Sequence, residues 1–356
     1  MNDRQLANDY LAQIVEYTKE VCKYLDIRWD AKKRRNYRMW DNGVGPTGAL
    51  IHYTASNKAV SSRRPLGRIP NLLRRFARNS GTPGVHFVVW DDYNPELAGI
   101  RAHYDVFNIL PCDVFSWGWD VAYYHGNWAN GWAFGIENRN VGVLRKRKGK
   151  FYWGGHNPYR GRDPIQVRGI WCEPFTSAQI WANILLIAWM RHIFPIASYK
   201  VVGHTHIIST KVDPFPSYPF HMVRDMIRRP LSRLHFMAQQ HKLMELTTDP
   251  YYRKMPIEED RFLATSIFRE FMDLHKLYKA NKRCAPSVTE KAITRLGNLG
   301  YCVYNKEAAK WSIRTFQERW VRKKAGRWVH IAKVTGTIDK ATVHLIEKME
   351  KQWRIK

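Results

Sequence analysis

The sequence is poor in acid. Its 31 Asp and Glu stand against 58 Lys and Arg, a formal charge of +27 over 356 residues. An excess of that size implies a polyanionic partner: nucleic acid, an anionic membrane face or an acidic cell envelope. Cysteine is scarce too. Cys22, Cys112, Cys172, Cys284 and Cys302 are odd in number and widely spaced. With no Cys-x-x-Cys pair, they offer neither a thiolate metal knuckle nor a dithiol redox motif, and reduced thiols are expected. Long apolar runs are missing: the longest, IWANILLIAWM at 180–190, is too short to cross a bilayer. The opening residues, MNDRQLANDY, lack the basic start and apolar core of a secretory signal. The expectation is a chain made in the cytoplasm and free of transmembrane segments. No internal repeat is evident.

What is present belongs to a folded protein. Hydrophobic residues make up 45% and aromatic residues 13%, with 15 Trp, too apolar for long disorder. Over 8–24, Leu11, Ile14, Val15, Tyr17 and Val21 recur at helical spacing, and a basic, Trp-containing stretch follows to residue 43. GALIHYTAS (48–56), GVHFVVWDD (84–92) and WAFGIENRN (132–140) read as short strands bounded by turn formers. Thr176 or Ser177 caps a long, nearly all-apolar helix that stops before Pro195. KVVGHTHII (200–208) follows as a strand and loop. Strands interleaved with a helix indicate an α/β layer architecture with some parallel pairing. The basic run LRKRKGK (144–150) reads as an exposed loop. Beyond Pro230 the pattern turns helical and charged, and residues 281–356 carry 18 Lys and Arg against 6 Asp and Glu. Four segments result: an N-terminal helix and basic loop (1–45), a catalytic domain (46–229), a helical connector (230–282) and a small all-helical C-terminal domain (283–356).

Three side chains able to hold a hard or borderline metal fall at the ends of predicted strands: His52, His204 and Asp213. A catalytic zinc takes three protein N and O donors and keeps one position open, and this set would supply them. With 14 His in the chain spacing alone is weak, and His206 competes with His204.

These residues sit in a longer pattern. GALIHYTAS, GVHFVVWDD, AYYHGNWANGWAFGIENRN, FTSAQIWANILLIAWM and VVGHTHIISTKVDPFPSYPF, in that order over 47–229, resemble the zinc amidases that include phage lysozyme-type amidases, bacterial recycling amidases and animal peptidoglycan recognition proteins. The resemblance implies a mixed central sheet flanked by helices and hydrolysis of the N-acetylmuramoyl-L-alanine amide bond of bacterial peptidoglycan. It makes His52, His204 and Asp213 the Zn2+ ligands, since Gly203-His204 fits the pattern better than His206. Glu137 would sit across the metal and Lys211 would face the reacting carbonyl. Tyr124, His125 and Asn130 are the implied substrate-facing residues. Taken alone, Glu137 would serve as well as a strand-end carboxylate paired with Arg139, and Phe215 stands where the family usually has Gly.

Leu299-Gly300-Tyr301, Phe316-Gln317 and the stretch from Thr335 to Thr342 resemble, in order, a small helical peptidoglycan-binding module. Gly300 can end one helix in a left-handed conformation and Asp339 can cap another. The basic stretch RWVRKKAGRWVHIAK between them is longer than that module provides. A wall hydrolase with a basic tail and no signal fits a phage endolysin or a virion-associated lysin, reaching the wall after lysis-linked release or with the virion. Anionic envelope polymers account for the charge. The alternatives are a non-catalytic peptidoglycan binder on the same fold and a nucleic-acid-binding protein, for which no specific target is expected.

Overall fold

The computed structural model describes residues 2–24, 37–39, 44–53, 86–89, 106–108, 114–116, 132–238 apart from 155, 160, 162, 168, 209–210 and 215, then 288–324 and 327–352. Five strands make the central sheet: β2 (Gly48–Tyr53), β3 (Phe87–Val89), β4 (Val106–Asn108), β6 (Ala133–Asn138) and β12 (Val201–Gly203), in the order β12-β2-β6-β3-β4. The first three pairings are parallel and the last antiparallel, so the sheet is mixed. β2, β3 and β6 are buried at every position, as strands covered on both faces must be. Two short strands, β1 (Tyr37–Met39) and β5 (Val114–Ser116), pair apart from it.

Helix α1 (Asp3–Tyr24) packs on α2 (Ser177–Ile193). Thr176 caps α2 in full: its Oγ1 accepts from the Gln179 amide at 3.1 Å, and the Gln179 side chain accepts from the Thr176 amide at 3.1 Å. Such a reciprocal box satisfies two N–H groups that the first turn leaves unbonded. Ile180, Trp181, Ile184, Leu185, Ile187 and Trp189 of α2 are all buried, each large side chain contributing roughly 2 kcal/mol of burial. The helix is apolar all round because it has covered neighbours on more than one side, α1 among them. Tyr10 of α1 stacks on Trp189 at 4.9 Å and on His235 at 4.1 Å, and Trp189 Nε1 donates to His235 Nε2 at 2.8 Å.

Between β6 and α2 a second, wholly antiparallel sheet is inserted: β7 (Val143–Arg147), β8 (Lys150–Trp153), β9 (Asn157–Pro158), β10 (Ile165–Val167) and β11 (Ile170–Cys172), ordered β10-β11-β7-β8-β9. The run 144–150, read from its charge as a loop, is therefore most of a hairpin. Lys148 and Gly149 make its two-residue turn, both with positive φ, the backbone that such tight hairpins need. A 200–208 strand-and-loop reading also changes, because His204–Ile207 forms a helical turn, α3, directly after β12. Helix α4 (Phe220–Met226) follows, and residues 231–238 are helical. The rest of the expected connector, from 239, lies outside the described residues.

The C-terminal unit has its own core of Leu296, Leu299, Tyr301, Phe316, Leu345, Ile346 and Met349. Helices α5 (Val288–Asn298), α6 (Lys306–Arg319) and α7 (Lys340–Gln352) build it. A two-stranded ribbon, β13 (Val321–Lys324) and β14 (Arg327–His330), occupies the basic stretch read as longer than the resembling module provides. Gly300 has φ +86°, and Asp339 Oδ1 accepts from the Thr342 amide at 2.7 Å, the two punctuation roles expected of them. Among the described residues no helix is long and apolar enough to cross a membrane.

Candidate metal centre

The parallel strands deliver the candidate residues to one edge. In the β2–β6 register His52 stands opposite Glu137, and since facing residues of paired strands project to the same side, the two share a face. β12 pairs with β2 up to Gly203 opposite Ile51, so His204 emerges beside His52. This is the carboxyl end of the parallel strands, where open α/β sheets place their ligands. Gly203 is required by crowding: a Cβ there would lie 2.3 Å from Pro214 Cδ and 2.8 Å from Phe220 Cζ. Thr205 N–H donates to the Asp213 carbonyl at 2.8 Å, which folds the 211–214 segment back against α3.

The outcome is a compact cluster. Asp213 Oδ2 accepts from His52 Nδ1 at 3.1 Å and from His204 Nδ1 at 3.2 Å, and the imidazole rings meet edge to face at 4.6 Å. One ligand atom from each of the three lies within 4.8 Å of the others. Both His are buried, while the Asp213 side chain keeps 13% exposure, leaving the cluster one open side. Burial, the His204 ring and the Lys211 charge pull the His52 pKa down to about 4, against the opposing effect of Asp213. Burial pushes the Asp213 carboxyl up, but His204 and His52 outweigh it and hold it far below the usual carboxylate range. At neutral pH the donors thus include a neutral imidazole and a carboxylate, the protonation states a divalent metal needs. Two N donors, one O donor and an open side fit zinc.

His206 does something else. The Gly203 amide donates to its Nδ1 at 2.9 Å, and its Nε2 donates to the Leu299 carbonyl at 3.2 Å. Both nitrogens of a neutral imidazole are then in use, and of the two it is the His204 ring that joins the cluster. Arg139, the possible partner of Glu137, is bonded to Glu173 at 2.7 Å with both side chains buried. Glu173 also accepts from the Val141 amide at 2.6 Å. Next to them, Asn138 and Asn183 bond each other, and Gln179 Nε2 donates to the Arg139 carbonyl at 2.7 Å. This polar knot fastens the chain just past Glu137 to the start of α2. Lys211 is half-buried two residues before Asp213. Tyr124, His125, Asn130 and Phe215 lie outside the described residues.

Two features escaped the sequence. Tyr53 ends β2 beside His52, and burial, with the Asp213 charge added, raises its phenol pKa far up; its place one residue after the metal-type His was the only available signal. The second is a groove of about 660 Å³ that includes Arg145, Lys146, Arg147, Trp171, Val212 and Gln352 in its walls. It joins the inserted sheet to the residue before Asp213. Lys146 lies over the Trp171 ring at 4.9 Å and the Phe151 ring at 5.5 Å. Reading 144–150 as a loop concealed it.

Fold and cluster together define a mixed α/β domain with a His-His-Asp centre at the carboxyl edge of its parallel strands. Residues 42–216 match the family model described as N-acetylmuramoyl-L-alanine amidase. No curated protein sequence matches the chain. Among solved structures, AmpDh3 from Pseudomonas aeruginosa in complex with anhydromuramic pentapeptide aligns at 15% identity and TM-score 0.35, over 92% of this chain and 98% of that one. The N-acetylmuramyl-L-alanine amidase AmiD from E. coli, in complex with its substrate, aligns at 17% identity and TM-score 0.35, over 90% and 95%. A mutant endolysin from Bacillus subtilis aligns at 15% identity and TM-score 0.34, over 56% and 95%.

Proposed function

We propose that the chain is a zinc-dependent peptidoglycan hydrolase that cuts the amide bond between N-acetylmuramic acid and L-alanine. The observation that carries the proposal is the convergence of His52, His204 and Asp213 within 4.8 Å inside the segment that matches the amidase family. Zinc, when bound, supplies Lewis acidity toward an amide carbonyl and toward water. His52, His204 and Asp213 hold it. Glu137, in register with His52, takes a proton from water and returns it to the leaving amine. Lys211, whose charge His52 already feels, stabilises the oxyanion that develops as the carbonyl is attacked.

The basic surface belongs to the same proposal. The exposed Arg145 and Arg147 on β7 and the basic C-terminal unit suit anionic polymers of a bacterial envelope, and a lysin working on intact wall has use for such an anchor. Digestion of purified peptidoglycan with mass analysis of the products tests the reading. New L-alanine amino termini on released peptides are the expected result. Peptide release equal to that of a His204→Ala variant would sink it.

A further inference from the structure

We infer that the C-terminal unit is a working part of the metal centre: Tyr301 and Arg224 act as positioning residues that hold the His204 turn in place. The inference rests on the metal-centre reading above and concerns what keeps that centre assembled.

His204 opens a helix of only four residues, closed by one helical bond, Ile208 N–H to the His204 carbonyl at 3.0 Å. A single turn fixes too few hydrogen bonds to stand by itself, so its orientation comes from its neighbours. On the metal side it is tied to the Asp213 carbonyl through Thr205. On the other side its ties run to the C-terminal unit. The Tyr301 hydroxyl donates to the His206 carbonyl at 2.8 Å, and His206 Nε2 donates to the Leu299 carbonyl at 3.2 Å. The His206 ring is gripped edge to face between Phe220 at 4.6 Å and Tyr301 at 4.7 Å.

Arg224 bridges the two units. Its Nε and Nη2 donate to the Val201 carbonyl at 2.9 and 2.6 Å, and its Nη1 donates to the Gly300 carbonyl at 2.6 Å. One buried guanidinium thus joins the strand that leads into His204 to the turn that carries Tyr301. Gly300 leaves no slack, since a Cβ on its left-handed backbone would lie 2.9 Å from His206 Nε2. The Leu299-Gly300-Tyr301 turn is therefore spent on the amidase domain. Leu299 and Tyr301 are fully buried there, so neither offers its side chain to a glycan. Another contact across the same boundary lies away from α3: the Tyr199 hydroxyl donates to Glu307 at 2.6 Å.

Partners that orient metal ligands change metal affinity by about 10- to 100-fold when lost. The test is zinc affinity of the full chain, by competition with a chromogenic chelator, alongside the unfolding midpoint of the metal-free protein. Tyr301→Phe keeps the ring and deletes the bond to His206. Arg224→Lys keeps the charge and cannot span both carbonyls. Glu307→Ala cuts the same boundary without touching α3. The expected result is a loss of about tenfold or more in zinc affinity for Tyr301→Phe and Arg224→Lys, with Glu307→Ala close to parent and the metal-free midpoint of Tyr301→Phe little moved. Parental affinity in both α3-side variants would overturn the inference and leave the metal centre standing. An equal loss in Glu307→Ala would also overturn it, by making the effect one of general docking. A parent that binds no zinc would instead sink the metal-centre reading, and the inference with it.

Discussion

His204 and His206 share one helical turn and serve different partners: His204 Nδ1 is bonded to Asp213 Oδ2 at 3.2 Å, and His206 Nε2 to the Leu299 carbonyl at 3.2 Å. Two residues of separation place one ring in the cluster and the other at the boundary with the C-terminal unit.

Substituting His204 by Ala leaves one His and one Asp, too few donors for a protein zinc site. Bound zinc, measured by elemental analysis, falls from about one per chain to near zero. Peptide release from purified wall falls with it, by more than about 100-fold. Chelation of the parent reproduces the loss, and added zinc reverses it.

Glu137→Gln keeps the shape and removes the carboxylate proposed to carry the proton. Hydrolysis drops by about 10²–10⁴-fold while zinc content stays at the parental level. A loss of zinc in this variant would make Glu137 a ligand or a structural residue and reassign its role.

Arg139→Ala strands the Glu173 carboxylate in a site with no exposure. Breaking a buried pair from one side costs about 3–5 kcal/mol. Urea unfolding should show the unfolding free energy falling by that amount, because the same carboxylate anchors the Val141 amide.

Acid should loosen the fold through buried neutral histidines. Burial lowers the His235 pKa to about 4, against about 6.5 in the unfolded chain. The unfolded state therefore binds the proton first. This share of stability is complete above about pH 6.5 and is lost as pH falls toward about 4. His206, lowered by burial and by the Arg224 charge, acts with the same sign. His235→Phe keeps an aromatic ring against Tyr10, and its thermal midpoint should fall less than the parent's between those two pH values.

Reversing Arg145, Lys146 and Arg147 to Glu removes the basic wall of the groove. Sedimentation with purified wall should weaken and lose part of its salt dependence, since exposed charges act through screened fields. Unchanged sedimentation would assign wall attraction to the C-terminal unit alone.

Four of the five central strands and α2 were legible because they carry strong local signals: strands such as GALIHY are bounded by turn formers, and α2 is a long apolar run with a capping residue ahead of it; the three-residue β4 was not read. His52, His204 and Asp213 stood out as metal-binding types at the ends of expected strands, and only the family resemblance singled out Glu137. The inserted sheet was hidden by charge, since exposed strands such as β7 place Arg and Lys where periodicity looks for apolar residues. The role of His206 was hidden for another reason. Its partner Leu299 is 93 positions away, and a backbone carbonyl leaves no mark on the residue type that provides it.

The packing of α1 on α2 sets an order of events during synthesis. Tyr10 finds its stacking partners only after Trp189 and His235 have been made. At a synthesis rate of about 5–20 residues per second, that is roughly 10–40 s later. Throughout that interval the stripe that meets α2 is on a nascent chain without α2 to cover it. That face of α1 is sealed only once residues about 180 positions further on have been made, and until then it is open to chaperones and to aggregation.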